Sequence, residues 1–158
     1  MTEIVCPQAA IELIQKFEGF SPSPYKCPAG VTTIGYGSTS YSNGSPVLAN
    51  DPPITEEEAE NICLAYVQRD FEFLAEDLRA LNPNQWGAIL SFVYNIGRSA
   101  FLTSTLFLVI KENRCNPYIL DEFLRWNKVR FRGEKIPSLG LTRRRLAEAT
   151  LYFKPFTL

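Results

Sequence analysis

The chain contains no histidine among its 158 residues, and this absence removes several kinds of active site at once. Serine and cysteine nucleophiles that depend on a histidine base are excluded, and so is the commonest zinc ligand. Cys6, Cys27, Cys63 and Cys115 are scattered without a paired CxxC spacing, so a four-thiolate zinc site has little support. No metal site is therefore expected, and what remains for bond cleavage is mostly carboxylate chemistry.

Long apolar segments are also missing. No stretch approaches the roughly 18 apolar residues of a membrane span, and the start, MTEIVCPQAA, lacks the basic region and apolar run of a secretion signal. We expect a chain that is made as a soluble cytoplasmic protein with reduced cysteines, although their even number leaves one bridge open. With 46% hydrophobic residues, the chain has enough apolar material for one globular domain or two lobes around a cleft.

The net charge is close to zero, but the charges are unevenly distributed. Residues 1–110 carry 5 basic and 12 acidic side chains, whereas residues 111–158 carry 11 basic and 5 acidic ones. Cations interleaved with aromatic residues in the basic third can bind nucleic acid through phosphate contacts and base stacking. Solvated arginines on an amphipathic helix would give the same pattern, and so would attraction to a polyanionic cell-wall glycopeptide. We do not expect nucleic acid to be the partner.

The first helix is predicted to run from Pro7, which suits a first helical position, to Glu18. Apolar residues recur at steps of three and four along it. A carboxylate in the last turn faces the negative end of the helix dipole beside buried apolar groups, which disfavours its charged form and suits a general acid. Gly19 then ends the helix, and residues 31–36 alternate β-branched and aromatic side chains like a short strand. The pattern predicts a helix end that faces a small β-hairpin across a cleft.

Three residues of this region have a distinctive spacing. Glu18 is followed after eight residues by Cys27 and after five more by Thr33, within FEGFSPSPYKCPAGVTTIGYGS. The segment resembles the catalytic signature of phage-type lysozymes, the endolysins of glycoside hydrolase family 24, which has Glu, then Asp or Cys, then Thr. Three further segments extend the resemblance over nearly the whole chain: NPNQWGAILSFVYNIG, FLRWNK and GLTRRRLAEATLY.

The resemblance implies an α+β, lysozyme-like fold, in which a small β-hairpin N-terminal lobe and a larger helical C-terminal lobe surround a cleft for peptidoglycan. It implies hydrolysis of the β-1,4 bond between N-acetylmuramic acid and N-acetylglucosamine, without a cofactor, leading to host cell lysis. Glu18 would be the general acid, Cys27 would assist a water on the opposite face of the sugar, and Thr33 would position that water or the substrate. A monomer that reaches the wall through a separate membrane-permeabilising protein is expected.

The chain departs from the family pattern at two positions. Cys27 stands where many relatives have Asp, and a thiol is mostly neutral at pH 7, so it is the weaker base unless a cation lowers its pKa. Ser38 stands where relatives commonly have His, a loss that would affect stability more than chemistry.

One arginine of the GLxxRR segment lies close to the catalytic glutamate in the family. The spacing makes Arg144 or Arg145 the equivalent residue, with an orienting or substrate-binding role. The alternative is that both, together with Arg143, are solvated groups on a helix surface.

The organisation predicted is a single catalytic domain over 1–158, with an N-terminal lobe over about 1–54, a linking helix over 55–81 and a helical lobe over 82–158. A capping box at Thr55 to Glu58 starts the linking helix, which would have about seven turns with Cys63 on its buried stripe. Later helices are expected from Asn82 to Gly97 and over 100–113, 117–126 and 142–153, with a loop over 127–141.

Two other functions remain open at this point. A lytic transglycosylase would cleave the same bond with one acid and no water. A catalytically weak module that binds cell wall or nucleic acid would depend mainly on the basic third.

Overall fold

A computed structural model describes residues 7–157, so Cys6 lies outside the described residues. Helices and strands follow one another in this order: α1 Gln8–Glu18, β1 Ser21–Lys26, β2 Thr32–Gly35, α2 Glu56–Leu74, α3 Pro83–Ile96, α4 Arg98–Leu102, α5 Thr105–Glu112, α6 Ile119–Leu124, β3 Lys128–Phe131, β4 Glu134–Pro137 and α7 Leu139–Phe153. β1 pairs with β2 and β3 with β4, each as an antiparallel two-stranded sheet. The expected α+β, lysozyme-like fold is confirmed, and it has a second small hairpin besides the expected one.

Helix α3 forms the centre of the helical body. Every residue over 85–93 is buried, and α3 packs against α1, α2 and α7. Asn82 caps the helix in a capping box with Gln85, Pro83 occupies its first turn, and Gly97, at φ 91°, ends it. This helix was predicted with its correct start and end, because its cap and terminal glycine are both visible in the sequence.

An aromatic cluster around Phe92 connects α3 to the helices that follow it. The Phe92 ring lies 6.0 Å from Phe101, 5.4 Å from Phe123 and 5.9 Å from Trp126, always edge to face. Such ring pairs contribute about 0.5–1.5 kcal/mol each beyond the burial of their area. Cys63 is fully buried in the same core, as its place on the apolar stripe of α2 predicted.

Several predicted bounds were wrong. Pro7 is the N-cap of α1 and not its first residue. α2 begins at the predicted capping box but has 19 residues and ends at Leu74, after which residues 75–80 form turns. The helix expected over 100–113 is two helices, because the Ser104 hydroxyl accepts a hydrogen bond from the Phe107 amide (3.1 Å) and so starts α5 separately.

The loop expected over 127–141 contains the β3–β4 hairpin, and α7 begins at Leu139 and not at Thr142. Arg132 and Gly133 both have positive φ, 49° and 79°, which suits a two-residue turn between strands. Ser138 caps α7 by accepting a hydrogen bond from the Leu141 amide. Within residues 7–157, no helix is long and apolar enough to cross a membrane.

Candidate active site

Glu18 is the last residue of α1, where Gly19 ends the helix at φ 68°. Its side chain is 23% exposed, so the carboxylate lies at the surface of the body with one side against the protein. Oε1 accepts a hydrogen bond from Arg144 Nη1 at 2.5 Å. The sequence prediction of a helix-end glutamate is thus confirmed in its position.

The Arg144 guanidinium reaches Glu18 from α7, and its side chain is only 4% exposed. Arg144 Nη2 donates to the Ser91 carbonyl at 3.1 Å, and Nε donates to Glu148 Oε1 at 3.2 Å. The guanidinium also lies over the Phe17 ring, 5.8 Å from its centroid. Acceptors on three helices therefore fix the cation that contacts Glu18, and of the two arginines left open by the sequence, Arg144 makes this contact.

Arg145 and Glu148 complete a buried ionic cluster behind Arg144. Both side chains are fully buried, with Arg145 Nε 2.7 Å from Glu148 Oε2 and the Arg145 guanidinium over the Phe92 ring. Burial raises the pKa of Glu148, and the charges of Arg145 and Arg144 oppose that shift. Burial likewise lowers the pKa of Arg145, which Glu148 opposes. The surface-helix alternative is wrong for Arg144 and Arg145 and holds for Arg143, which is exposed.

Sequence reasoning missed two members of this cluster. The missed residues are Ser91 and Glu148. Ser91 Oγ, on α3, donates to Glu148 Oε1 at 2.8 Å, and Glu148 accepts a hydrogen bond from Arg144, so α3 helps to position the acid that fixes Arg144. A usable signal existed, because Glu148 follows Arg144 by four residues and Arg145 by three, the spacings at which helical side chains meet. The sequence offered Arg144 or Arg145 as the partner of Glu18, but it gave no sign that an acid on the same helix would be buried with them.

A tight turn covers the other side of the Glu18 carboxylate. Ile34 and Ser38 exchange both backbone hydrogen bonds, 2.9 and 3.0 Å, and enclose Gly35, Tyr36 and Gly37. A Cβ at Gly37 would lie 2.8 Å from Glu18 Oε2, and the residue has φ 77°. Gly37 therefore has to be glycine for two independent reasons, its backbone conformation and the closeness of the carboxylate.

Ser38 is buried beneath this turn. Its hydroxyl lies 3.2 Å from the Tyr94 hydroxyl, which donates to the Tyr36 carbonyl at 2.5 Å. Burial is the main cause that raises the pKa of Tyr94, so the phenol stays a donor. The side chain at position 38 thus supports the turn through α3.

Cys27 and Thr33 lie on the β1–β2 hairpin, close to each other. The Cys27 amide donates to the Val31 carbonyl at 3.0 Å, which closes the turn between the strands. Thr33 is 2% exposed, and its hydroxyl donates to the same Val31 carbonyl at 2.9 Å. The pKa of the Cys27 thiol is lowered, chiefly by hydrogen bonding to the Val31 backbone. Burial opposes this shift, and hydrogen bonds to Ala29, Thr33 and Gly30 add to it.

Tyr25 connects the two halves of the site. Tyr25 lies directly opposite Thr33 in the β1–β2 register. Burial is the main cause that raises its pKa, and the charges of Glu18 and Cys27 raise it further. An open cavity of about 290 Å³ lies here, lined by Glu18, Gly19, Phe20, Ser21 and Tyr25.

The cysteines Cys27 and Cys115 are not joined in a disulfide.

A glutamate at a helix end, fixed by a buried arginine and facing a small hairpin on a helical body, defines a lysozyme-like glycoside hydrolase. The sequence model of the phage lysozyme family matches residues 15–148, and the chain belongs to this family.

Individual relatives agree with this assignment. The endolysin of Acyrthosiphon pisum secondary endosymbiont phage 1 is 35% identical over 148 residues, 92% of this chain and 95% of that protein. The structure of an endolysin from Escherichia coli O157:H7 phage FAHEc1 superposes with a TM-score of 0.83 at 31% identity, covering 96% of this chain and 94% of that one. The muramidase domain of SpmX from Asticaccaulis excentricus gives 0.81 at 28% identity, covering 96% and 99%.

The close approach of Gly37 to the carboxylate predicts a substitution that harms activity more than stability. Gly37→Ala should displace Glu18 and lower lytic activity on a cell-wall suspension by about 100-fold, since small misplacements of a reacting group are that costly. Gly44→Ala is the matched control, because Gly44 has φ 87° but a Cβ there would meet nothing within 4 Å. Both variants should lose about 1–2 kcal/mol of unfolding free energy. Equal activities of the two variants would contradict a special role for Gly37.

The Arg144 contact predicts that Glu18 loses its orientation when the guanidinium is removed. Arg144→Ala should lower lytic activity on a cell-wall suspension, at equal folded concentration, by about 10-fold or more, because the donor that positions the Glu18 carboxylate is gone. Arg143→Ala removes the neighbouring, exposed cation and should leave the activity unchanged. Equal activities of the two variants would contradict an orienting role for Arg144.

Proposed function

We propose that this chain is an endolysin that hydrolyses the β-1,4 bond between N-acetylmuramic acid and N-acetylglucosamine in bacterial peptidoglycan. The observation that carries the proposal is the Glu18 carboxylate, half-enclosed between Arg144 and Gly37 at the edge of an open cavity. Glycoside hydrolysis needs one acid on the leaving oxygen and a second group that activates a water, and it needs no histidine.

Glu18 is the general acid in this proposal, and Arg144 orients it. The cluster contains two arginines and two glutamates, so the charge of Arg144 is already balanced in part by Glu148. When Glu18 takes up its proton, Arg144 keeps its hydrogen bonds to Ser91 and Glu148. Arg144 therefore stays in place whether Glu18 is protonated or ionised, so Glu18 keeps its orientation as a general acid in both states.

Cys27 assists the attacking water, and Thr33 positions that water or the substrate. The lowered pKa of Cys27 increases the thiolate fraction at neutral pH, which answers part of the objection that a thiol is a poor base. The Thr33 hydroxyl is fixed by the Val31 carbonyl beside it. We expect inversion at the anomeric carbon, in which acid and base stand roughly 6.5–9.5 Å apart with room for a water.

The setting of the reaction is part of the proposal. The chain acts as a monomer on the cell wall after synthesis in the host cytoplasm, and a separate membrane-permeabilising protein gives it access. The endolysin names of its relatives support the cell wall as the place of action.

Replacing the proposed acid tests the mechanism. Glu18→Gln keeps the volume of the side chain and an acceptor for Arg144 but cannot protonate the leaving oxygen, so lysis of a wall suspension should fall by at least about 100-fold. Glu12→Gln is the matched control, because Glu12 is an exposed glutamate on the same helix. Activity within threefold of the parent, at equal folded concentration, would remove Glu18 from the mechanism.

The product end distinguishes hydrolysis from the transglycosylase alternative. A reducing muramic acid end is expected, identified by mass spectrometry of the released fragments. An anhydro sugar end would mean that no water takes part and that Cys27 and Thr33 have other roles. Binding of walls without any release of fragments would support the binding-module alternative.

A second substitution series tests the base. Cys27→Ala should lower activity by about 10- to 100-fold, less than at Glu18, and Cys27→Asp should restore much of it. In a bell-shaped pH profile, the optimum lies midway between the pKa values of the essential acid and the essential base. Since Asp titrates near 3.9 and a thiol several units higher, the optimum of the Asp variant should move to lower pH by about 1 unit or more. Wild-type activity of Cys27→Ala at every pH would reduce Cys27 to a packing residue.

A further inference from the structure

The β3–β4 hairpin stands out from the rest of the molecule because all of its residues, over 128–137, are exposed. It connects α6 to α7 and packs none of its side chains into the core. A two-stranded hairpin of this kind is marginally stable unless something else covers it. The hairpin is therefore a candidate for contact with a partner.

The side chains of the hairpin are sorted by chemistry onto its two faces. Residues directly opposite in the register share a face, and so do alternate residues along each strand. One face has the apolar residues Val129, Phe131 and Ile136, together with Glu134 opposite Phe131. The other face, called the basic face below, has Lys128, Arg130 and Lys135, with Pro137 opposite Lys128.

The basic face carries an electrostatic cost that an anion would relieve. Arg130 and Lys135 are directly opposite each other in the register, and like charges in that position destabilise a strand pair. No ion pair formed within residues 7–157 includes Lys128, Arg130 or Lys135. The Arg130 guanidinium does donate to the Gly133 carbonyl at 3.3 Å, which carries no compensating charge.

The hairpin is attached to the helix that supplies Arg144. Residue 138 alone separates β4 from α7, and its amide donates to the Asn127 carbonyl at 2.7 Å. The Asn127 side chain in turn donates to the Thr142 hydroxyl at 3.1 Å. Arg144 lies five residues into α7, about 8 Å along its axis. The base of the hairpin is thus hydrogen-bonded to the first turn of the helix that supplies Arg144.

We infer that the basic face of the β3–β4 hairpin binds the carboxylates of the peptide stems on a peptidoglycan strand whose sugars occupy the Glu18 site. This inference rests on the proposed function. Peptide stems give the strand a regular series of negative charges, which is complementary to three cations with no acid on their face. Continuity with α7 favours the substrate over an anionic lipid surface, the other polyanion that an exposed hairpin with cations and apolar residues could contact.

Binding to purified sacculi tests the inference without depending on catalysis. In a Glu18→Gln background, Arg130→Gln combined with Lys135→Gln should weaken co-sedimentation with sacculi at low salt by about three- to tenfold. It should also flatten the salt dependence of binding. The control combines Arg114→Gln with Lys154→Gln, one exposed arginine and one exposed lysine at the other end of α7, and should bind as its parent does.

Two further arms identify the bound group. On sacculi whose carboxyls have been converted to amides with carbodiimide and ammonia, the hairpin variant and its parent should bind alike. Equal binding of both double variants to intact sacculi would overturn the inference, and so would a loss that persists on amidated sacculi. Weaker binding of the hairpin variant to phosphatidylglycerol vesicles, with unchanged binding to sacculi, would assign the basic face to lipid.

Failure of the proposed function would be seen separately. It would appear as sacculi left intact by the chain that retains Glu18, whatever the binding comparison gives.

Discussion

The buried guanidinium of Arg144 is the interaction on which the rest of the site depends. A buried cation is tolerated only if acceptors replace the water that it loses, because an unpaired buried charge costs several kcal/mol. Here the acceptors are Glu18 on α1, Ser91 on α3 and Glu148 on α7. If any of the three helices moved by an ångström or two, one of these bonds would be lost. The need to satisfy one cation therefore fixes the position of the candidate acid more tightly than apolar packing would.

The second constraint acts from the opposite side of the same carboxylate. The turn over 35–37 approaches α2 at Gly35, where a Cβ would lie 3.0 Å from the Ala59 Cβ, and approaches Glu18 at Gly37. Tyr36 lies in the core between them, and its carbonyl is held by Tyr94. Arg144 orients one carboxylate oxygen, and the turn limits where the other can go. Preorganisation of this kind avoids a rearrangement at the moment of proton transfer.

Much of the fold could be predicted from the sequence where local signals and packing agree. Helix α3 has a capping box, a proline, an apolar run and a terminal glycine in order, and its bounds were found. α2 was predicted too long, because its apolar stripe reaches Leu78, which is buried although it follows the helix in a turn. The β3–β4 hairpin was missed because Gly133, Pro137 and Gly140 indicated a loop, and because its strands have only four residues each. Its one local signal was the Arg132–Gly133 pair between two short alternating runs.

The sequence provided candidate residues for the site but not their contacts. Family spacing gave Glu18, Cys27 and Thr33 as candidates, while three consecutive arginines on a helix face three directions, and nothing local tells which one is buried. Charge counting along the sequence has the same weakness. Arg144 and Arg145 are neutralised inside the body, and Arg125 pairs with Glu122 at 3.3 Å. Most of the excess positive charge of residues 111–158 therefore belongs to side chains that have no acidic partner among the described residues. Three of these side chains form the basic face of the β3–β4 hairpin.

The buried, paired cations and the exposed, unpaired ones differ in how far their charge acts. Buried cations cannot attract a distant polymer, because their field is cancelled by adjacent carboxylates, whereas exposed and unpaired cations act over about a Debye length, near 8–10 Å at moderate salt. Five residues of α7, about 8 Å along its axis, separate the base of the hairpin from Arg144. If the hairpin attracts an anionic strand, that attraction should weaken as salt is added, whereas the largely buried contact between Arg144 and Glu18 should not.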